Sequence, residues 1–203
     1  SLIAHHQGED YDASQFGLQE RDIRNATLEM TLVPDEFSSW SFYYTRQETD
    51  WLQASWAYGW GNKDTYLTDP PQNWTARNQD AIDTLGANVM LSFMEDILPV
   101  RLAYAVSVVN TDISFTAGSA VSPPTSMPTI KGIRHTLDLS GTYRLRDDWS
   151  IRAGALVEDY RSRDWATDTL PPGSPAVPEV LTLSGTAPHS RTVLLSAALN
   201  YHF

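Results

Sequence analysis

Seven stretches of this chain alternate apolar and polar residues one by one, the period of a β-strand with a single apolar face. In the last of them Val193, Leu195, Ala197, Leu199, Tyr201 and Phe203 alternate with Thr192, Leu194, Ser196, Ala198, Asn200 and His202. In the one before it Trp149, Ile151, Ala153, Ala155 and Val157 alternate with Ser150, Arg152, Gly154, Leu156 and Glu158. The same reading predicts strands over about 24–33, 40–45, 84–93, 100–109, 136–145, 148–162 and 191–203. Few segments carry helical periodicity, so the class is all-β.

The connections between these strands sort into two kinds. Val33-Pro34-Asp35-Glu36, Met94 to Pro99, and Arg146-Asp147-Asp148 read as tight turns. Polar linkers rich in Pro, Gly, Ser, Thr and Asp fill about 50–79, 112–132 and 163–189. Short and long connections alternate strictly. A soluble sandwich has no reason to collect its short turns at one end, whereas an outer-membrane barrel has short periplasmic turns and long extracellular loops. The fold expected is therefore an antiparallel transmembrane β-barrel in the outer membrane of a Gram-negative cell. Residues 1–203 form one domain, with an outer-side segment over 1–22 and about seven strands over 24–203. An odd strand count, with no initiator Met and no signal peptide at Ser1, suggests the C-terminal portion of a larger barrel.

Composition agrees with that reading. No run approaches the ~18–20 apolar residues of a membrane helix, and mean hydropathy is −0.33. A barrel gives such a value because only every second residue faces lipid. A net charge of −11 argues against nucleic acid as a partner. The absence of cysteine removes disulfides, thiol catalysis and covalent c-type haem attachment to this chain. Trp40, Tyr44, Trp149, Tyr201 and Phe203 sit near the proposed periplasmic strand ends, where an interfacial aromatic girdle belongs.

The polar positions of the strands give candidate lumen-facing residues: Thr27, Glu29, Asn88, Ser107, Asp138, Ser140, Thr142, Arg152, Ser196 and Asn200. Most residues of that face are small and neutral. Diffusion porins line their pores with charged rings, whereas small neutral side chains suit close approach of a folded plug. Arg101, Arg144, Arg152, Asp138 and Glu158 are expected to pair across neighbouring strands. His5, His6, Glu9, Asp10 and Asp12 have metal-ligand chemistry, but nothing fixes their spacing and a solvated polar segment explains them better. Trp51, Trp56, Tyr58 and Trp60 fit either a cover over a partner or ordinary cross-strand aromatics. No phosphate loop, nucleophile elbow or His-Glu-x-x-His helix occurs, so no catalytic or metal residue is assigned and no enzyme activity is expected.

Ordered segments then carry a family likeness. They are Phe16 to Gln19, Leu28 to Glu36, Trp40 to Tyr44, Asn73 to Ala76 with Asp83 to Gly86, Tyr143 to Gly154, Glu158 to Ala166, Val180 to Gly185, and Asn200 to Phe203. Together they resemble the C-terminal part of the MtrB/PioB family, the decahaem-associated outer-membrane β-barrels. The resemblance implies a barrel that sheathes a multihaem c-type cytochrome. The pair would form a porin–cytochrome conduit for extracellular metal oxidation or reduction. The barrel would have no cofactor of its own; haem c belongs to the partner. Outer-membrane lipid is a further partner, and an extracellular cytochrome could dock outside. Leu199, Tyr201 and Phe203 also resemble the C-terminal insertion signal of outer-membrane barrels. The alternatives are a passive porin or substrate channel, and an outer-membrane enzyme or adhesin of the small-barrel type.

Overall fold

The computed structural model describes residues 1–11, 15–56, 72–94, 97–119, 127–146, 148–164 and 189–201. These form eight strands: β1 (Leu2–Asp10), β2 (Gly17–Asp35), β3 (Ser38–Trp56), β4 (Asn73–Phe93), β5 (Leu98–Ala117), β6 (Ile130–Arg144), β7 (Trp149–Arg163) and β8 (His189–Tyr201). They make one antiparallel sheet in chain order, β1 to β8, each strand hydrogen-bonded to its sequence neighbours. Among the described residues β1 and β8 do not pair with each other, so the sheet is open with these two at its edges. No helix among the described residues is long and apolar enough to cross a membrane, which says nothing about crossing by strands.

The expected alternation of connections is present. Three short links, 36–37, 94–97 and 145–148, lie at one end of the sheet. The strand ends joined through residues 11–16, 57–72, 118–129 and 164–188 lie at the other. The first short turn closes with the Phe37 backbone N–H donating to the Asp35 side chain at 2.9 Å, an Asx turn of the kind that Asp favours.

Two expectations are corrected. Residues 2–10 are a strand, which makes eight strands instead of seven. The chain does not begin on the long-connection side: the Ser1 ammonium donates to the Glu29 carbonyl at 2.7 Å, partway down β2, and β1 climbs from there. The strands are also much longer than alternation indicated. β3 and β4 run in unbroken register from Ser38↔Leu91 to Trp56↔Asn73, so much of what reads as the linker 50–79 is paired sheet. At ~3.4 Å per residue the 19 to 21 residues of β2–β5 are about 65–70 Å long.

Among the described residues no apolar side chain is buried. A sheet of this size cannot offset its conformational entropy without removing apolar surface from water, so its apolar face is covered by something other than the described residues.

Candidate functional site

The register sorts every strand into two faces, and through the lower part of the sheet the faces differ completely. One carries continuous apolar rows: Leu32, Trp40, Val89, Leu102, Leu139, Ala155 and Leu195 lie side by side, and so do Met30, Phe42, Ala87, Tyr104, Leu137, Val157 and Val193. The other carries Thr27, Thr45, Thr84 and Ser107 in one row. There the Thr27 and Thr45 hydroxyls meet at 3.0 Å, and those of Thr84 and Ser107 at 2.9 Å.

The sheet curves toward its polar face. Gly86, Gly132 and Ser150, the most enclosed of the described residues, all lie on it, and along β5 Ala103, Ala105 and Ser107 on this face are half-buried where Leu102, Tyr104 and Val108 on the apolar face are exposed. The apolar face is thus convex and the polar one concave. From Val193 to Tyr201 the apolar belt is ~27 Å along the strand, or about 21 Å tall at a tilt of ~40°, close to the roughly 25 Å lipid-facing band of a barrel.

All ten candidate lumen residues, Thr27, Glu29, Asn88, Ser107, Asp138, Ser140, Thr142, Arg152, Ser196 and Asn200, fall on the concave face. Crowding on this face is tight at Gly86: the ring of Tyr43 lies over it, so that a Cβ there would overlap the phenol. The expected cross-strand pairing of charges is met in part. Arg134 and Glu158 approach at 3.9 Å, and Arg101 donates to the Asn88 amide oxygen at 3.0 Å. Asp138, Arg144 and Arg152 make no ion pair among the described residues, so local pairing does not account for them.

Leu199 and Tyr201 lie on the convex face at the short-turn end, where the Tyr201 and Trp149 rings stand 4.9 Å apart. Phe203 lies outside the described residues. Trp40, Trp149 and Tyr201 occupy the short-turn edge of the belt as expected. Tyr44 does not. It sits at the opposite edge, its hydroxyl donating to Asp83 at 2.5 Å. Nearby the Tyr104 hydroxyl and His135 Nδ1 meet at 2.8 Å. These phenols bury their rings in the belt and turn their polar ends away from it.

Above the belt the strands continue as a collar, and the polarity of the faces reverses. The concave side now carries Ile23, Trp51, Trp74, Ile82, Ile113 and Phe115, with the Trp74 and Phe115 rings 6.2 Å apart. The convex side carries ion pairs: Arg24–Asp22 at 2.9 Å, Arg46–Glu48 at 2.9 Å, Arg46–Asp83, and Arg77–Asp50 at 2.8 Å. Partial burial works against the charge on Asp50, but donation from Arg77 and Gln79 outweighs it and holds the carboxyl below its usual range. In sequence this reversed segment lacks the constant apolar face that marks the strands below it. Holding the same parity upstream of Thr84 would have found it.

The His5, His6, Glu9 and Asp10 set is divided by β1. His6 and Asp10 share the convex parity, and His5 and Glu9 the concave one. His6 Nε2 donates to Asp22 at 2.7 Å, and Glu9 accepts from Gln7 and Tyr11. No group of three metal-ligating side chains forms among the described residues, and Asp12 lies outside them. Trp51 joins the collar interior, and the Trp56 ring packs against Phe16, with centroids 4.9 Å apart and planes tilted by 55°. Tyr58, Trp60 and Asp147 lie outside the described residues.

A strand wall with a lipid-compatible convex belt, a polar concave lining, and short turns segregated to one end is the wall of a transmembrane β-barrel. Over residues 1–203 the chain matches the family model of the outer-membrane β-barrel porins MtrB/PioB, and it belongs to that family. Its place is the outer membrane. The chain is similar to the ferric-catecholate import receptor Fiu of E. coli K12 in its open form, with 12% identity and a TM-score of 0.40, covering 89% of this chain and 32% of that one. Against the closed form identity is 13% and the TM-score 0.41, covering 90% of this chain and 31% of the receptor. The chain thus spans about a third of the length of these structures. No curated protein matches it.

Proposed function

We propose that this wall encloses a multihaem c-type cytochrome of the decahaem type, and that the two form a porin–cytochrome conduit moving electrons across the outer membrane for extracellular metal oxidation or reduction. Membership of the MtrB/PioB family supports this reading, and the composition of the concave face carries it. Where the belt crosses lipid, that face carries Thr27, Thr45, Thr84, Ser107 and Ala105, whose small side chains let a folded surface approach closely, while the Tyr43 ring covers Gly86. The hydroxyls satisfy one another along the row and keep acceptor capacity for a partner. Asp138, Arg144 and Arg152 supply charges that make no ion pair among the described residues. The apolar concave side of the collar, Trp51, Trp74 and Phe115, offers contact area where the partner would emerge, and an extracellular cytochrome would meet this end.

Haem held by the partner supplies the redox chemistry; with no cysteine, this chain has no means of attaching haem c itself. The wall's contribution is positional. Its strand-to-strand backbone hydrogen bonding tolerates lipid on one side, and its polar lining accommodates a protein that lipid cannot hold. The test is a visible absorption spectrum of the protein extracted gently from native outer membranes. A Soret band co-eluting at a fixed ratio is expected. A colourless, folded barrel that passes small solutes in liposomes would replace the conduit with a passive porin.

A further inference from the structure

On the convex face of β6–β8, directly above the apolar belt, the register gathers cations. The last apolar row is Leu137, Val157 and Val193. The next rows upward are His135–Asp159–Arg191, then Ile133–Arg161–His189, then Lys131–Arg163. Like-charged residues directly opposite one another destabilise a sheet, yet Lys131 faces Arg163 across β6–β7 in a chain of net charge −11. Asp159 is the one carboxylate in these rows, and it is shared between Arg161 at 3.0 Å and His189 at 3.1 Å. Lys131, Arg163 and Arg191 make no ion pair among the described residues. At the same level on β2–β4 the arrangement is opposite, each Arg already matched by a carboxylate.

We propose that this patch binds the phosphate groups of an outer-leaflet lipid headgroup. The three rows lie ~7, 14 and 20 Å along the strands beyond the last apolar row, hence about 5–16 Å above the hydrocarbon edge at a ~40° tilt. That is the depth of phosphorylated headgroups. Arg offers a planar fork matched to phosphate oxygens, and cations near an anionic leaflet gain from its potential. The inference rests on the long-connection end facing outward and holds whatever fills the barrel.

The protein purified from outer membranes and delipidated in detergent would be incubated with bisphosphorylated lipid A, or with the same lipid stripped of phosphate, and retained lipid counted by native mass spectrometry. Retention of the phosphorylated form should exceed that of the stripped form by roughly tenfold. R163Q/R191Q should abolish the preference, and R24Q/R77Q should keep it. Equal retention of both lipids by the unsubstituted protein would overturn the proposal, whether or not the variants fold. So would an unchanged preference in R163Q/R191Q, or complete displacement by an equal concentration of inorganic phosphate.

Discussion

The Tyr44 phenol donates to the Asp83 carboxylate at 2.5 Å, and this contact marks the level at which the convex face passes from lipid to water. Below it on β4 lie Leu85, Ala87 and Val89; above it lie Ala81, Gln79 and Arg77. Single cysteines along β4 should therefore divide at that contact. With a membrane-impermeant thiol reagent on intact cells, Q79C and A81C should label readily, and L85C and A87C should not. The unsubstituted protein serves as the blank. Equal labelling of L85C and A81C would move the membrane boundary.

Leu139 and Ser140 are neighbours in β6 with opposite environments, one in the apolar belt and one on the concave lining. Leu139→Arg should cost about 1–3 kcal/mol, since its row lies one step inside the upper edge of the belt and the penalty of a lipid-facing cation grows with depth. Ser140→Arg should leave assembly little changed. The fraction of heat-modifiable, folded barrel in outer membranes measures both. Equal losses would mean that Ser140 also faces lipid.

Gly86 accepts the Tyr43 ring across the β3–β4 pair because it has no Cβ, the aromatic cover that a sheet glycine invites. Gly86→Val should destabilise the barrel by about 1–3 kcal/mol through overpacking. Adding Tyr43→Ala should return most of the loss in thermal unfolding followed by gel mobility. A double variant as unstable as Gly86→Val alone would show that the ring is not the obstacle.

Asp50 lies in the collar, outside the apolar belt, with its folded pKa held below the ordinary value by Arg77 and Gln79. A depressed carboxylate contributes stability that is complete above its unfolded pKa, roughly 4, and lost as pH falls through the folded value. Backbone amides over 48–53 should lose hydrogen-exchange protection between pH 5 and pH 2.5, after correction for intrinsic rates. Asp50→Asn should show the lower protection at both pH values. A wild-type collar equally protected across that range would contradict the assignment.

The membrane-crossing part of the sheet was legible in sequence because lipid on one side and a polar lumen on the other force strict alternation, as from Leu85 to Phe93 or Trp149 to Val157. The ten candidates that share the concave face could be placed on one face for the same reason. Two parts were not legible. In β4 the parity persists upstream, but Trp74 and Ile82 take the concave side while Arg77 and Asp83 take the convex one. The apolar signal therefore changes face, and alternation alone ends the strand at Thr84. In β1 neither face is apolar: His6, Gly8 and Asp10 alternate with His5, Gln7 and Glu9. Backbone pairing with β2, from Leu2↔Leu28 to Asp10↔Glu20, holds it instead, and composition leaves no trace of that. The basic patch on β6–β8 arises only from register, since Lys131, Arg163 and Arg191 are far apart in sequence.

The enclosure of a cytochrome is tested most directly by a photo-crosslinking amino acid placed on each face of the wall. At Ser107 and Thr84, on the concave side, illumination of native membranes should give a crosslinked band that stains for haem. At the adjacent Val106 and Leu85, on the convex side, it should not. Concave positions that yield no haem-bearing adduct, in barrels shown to be folded, would contradict the account.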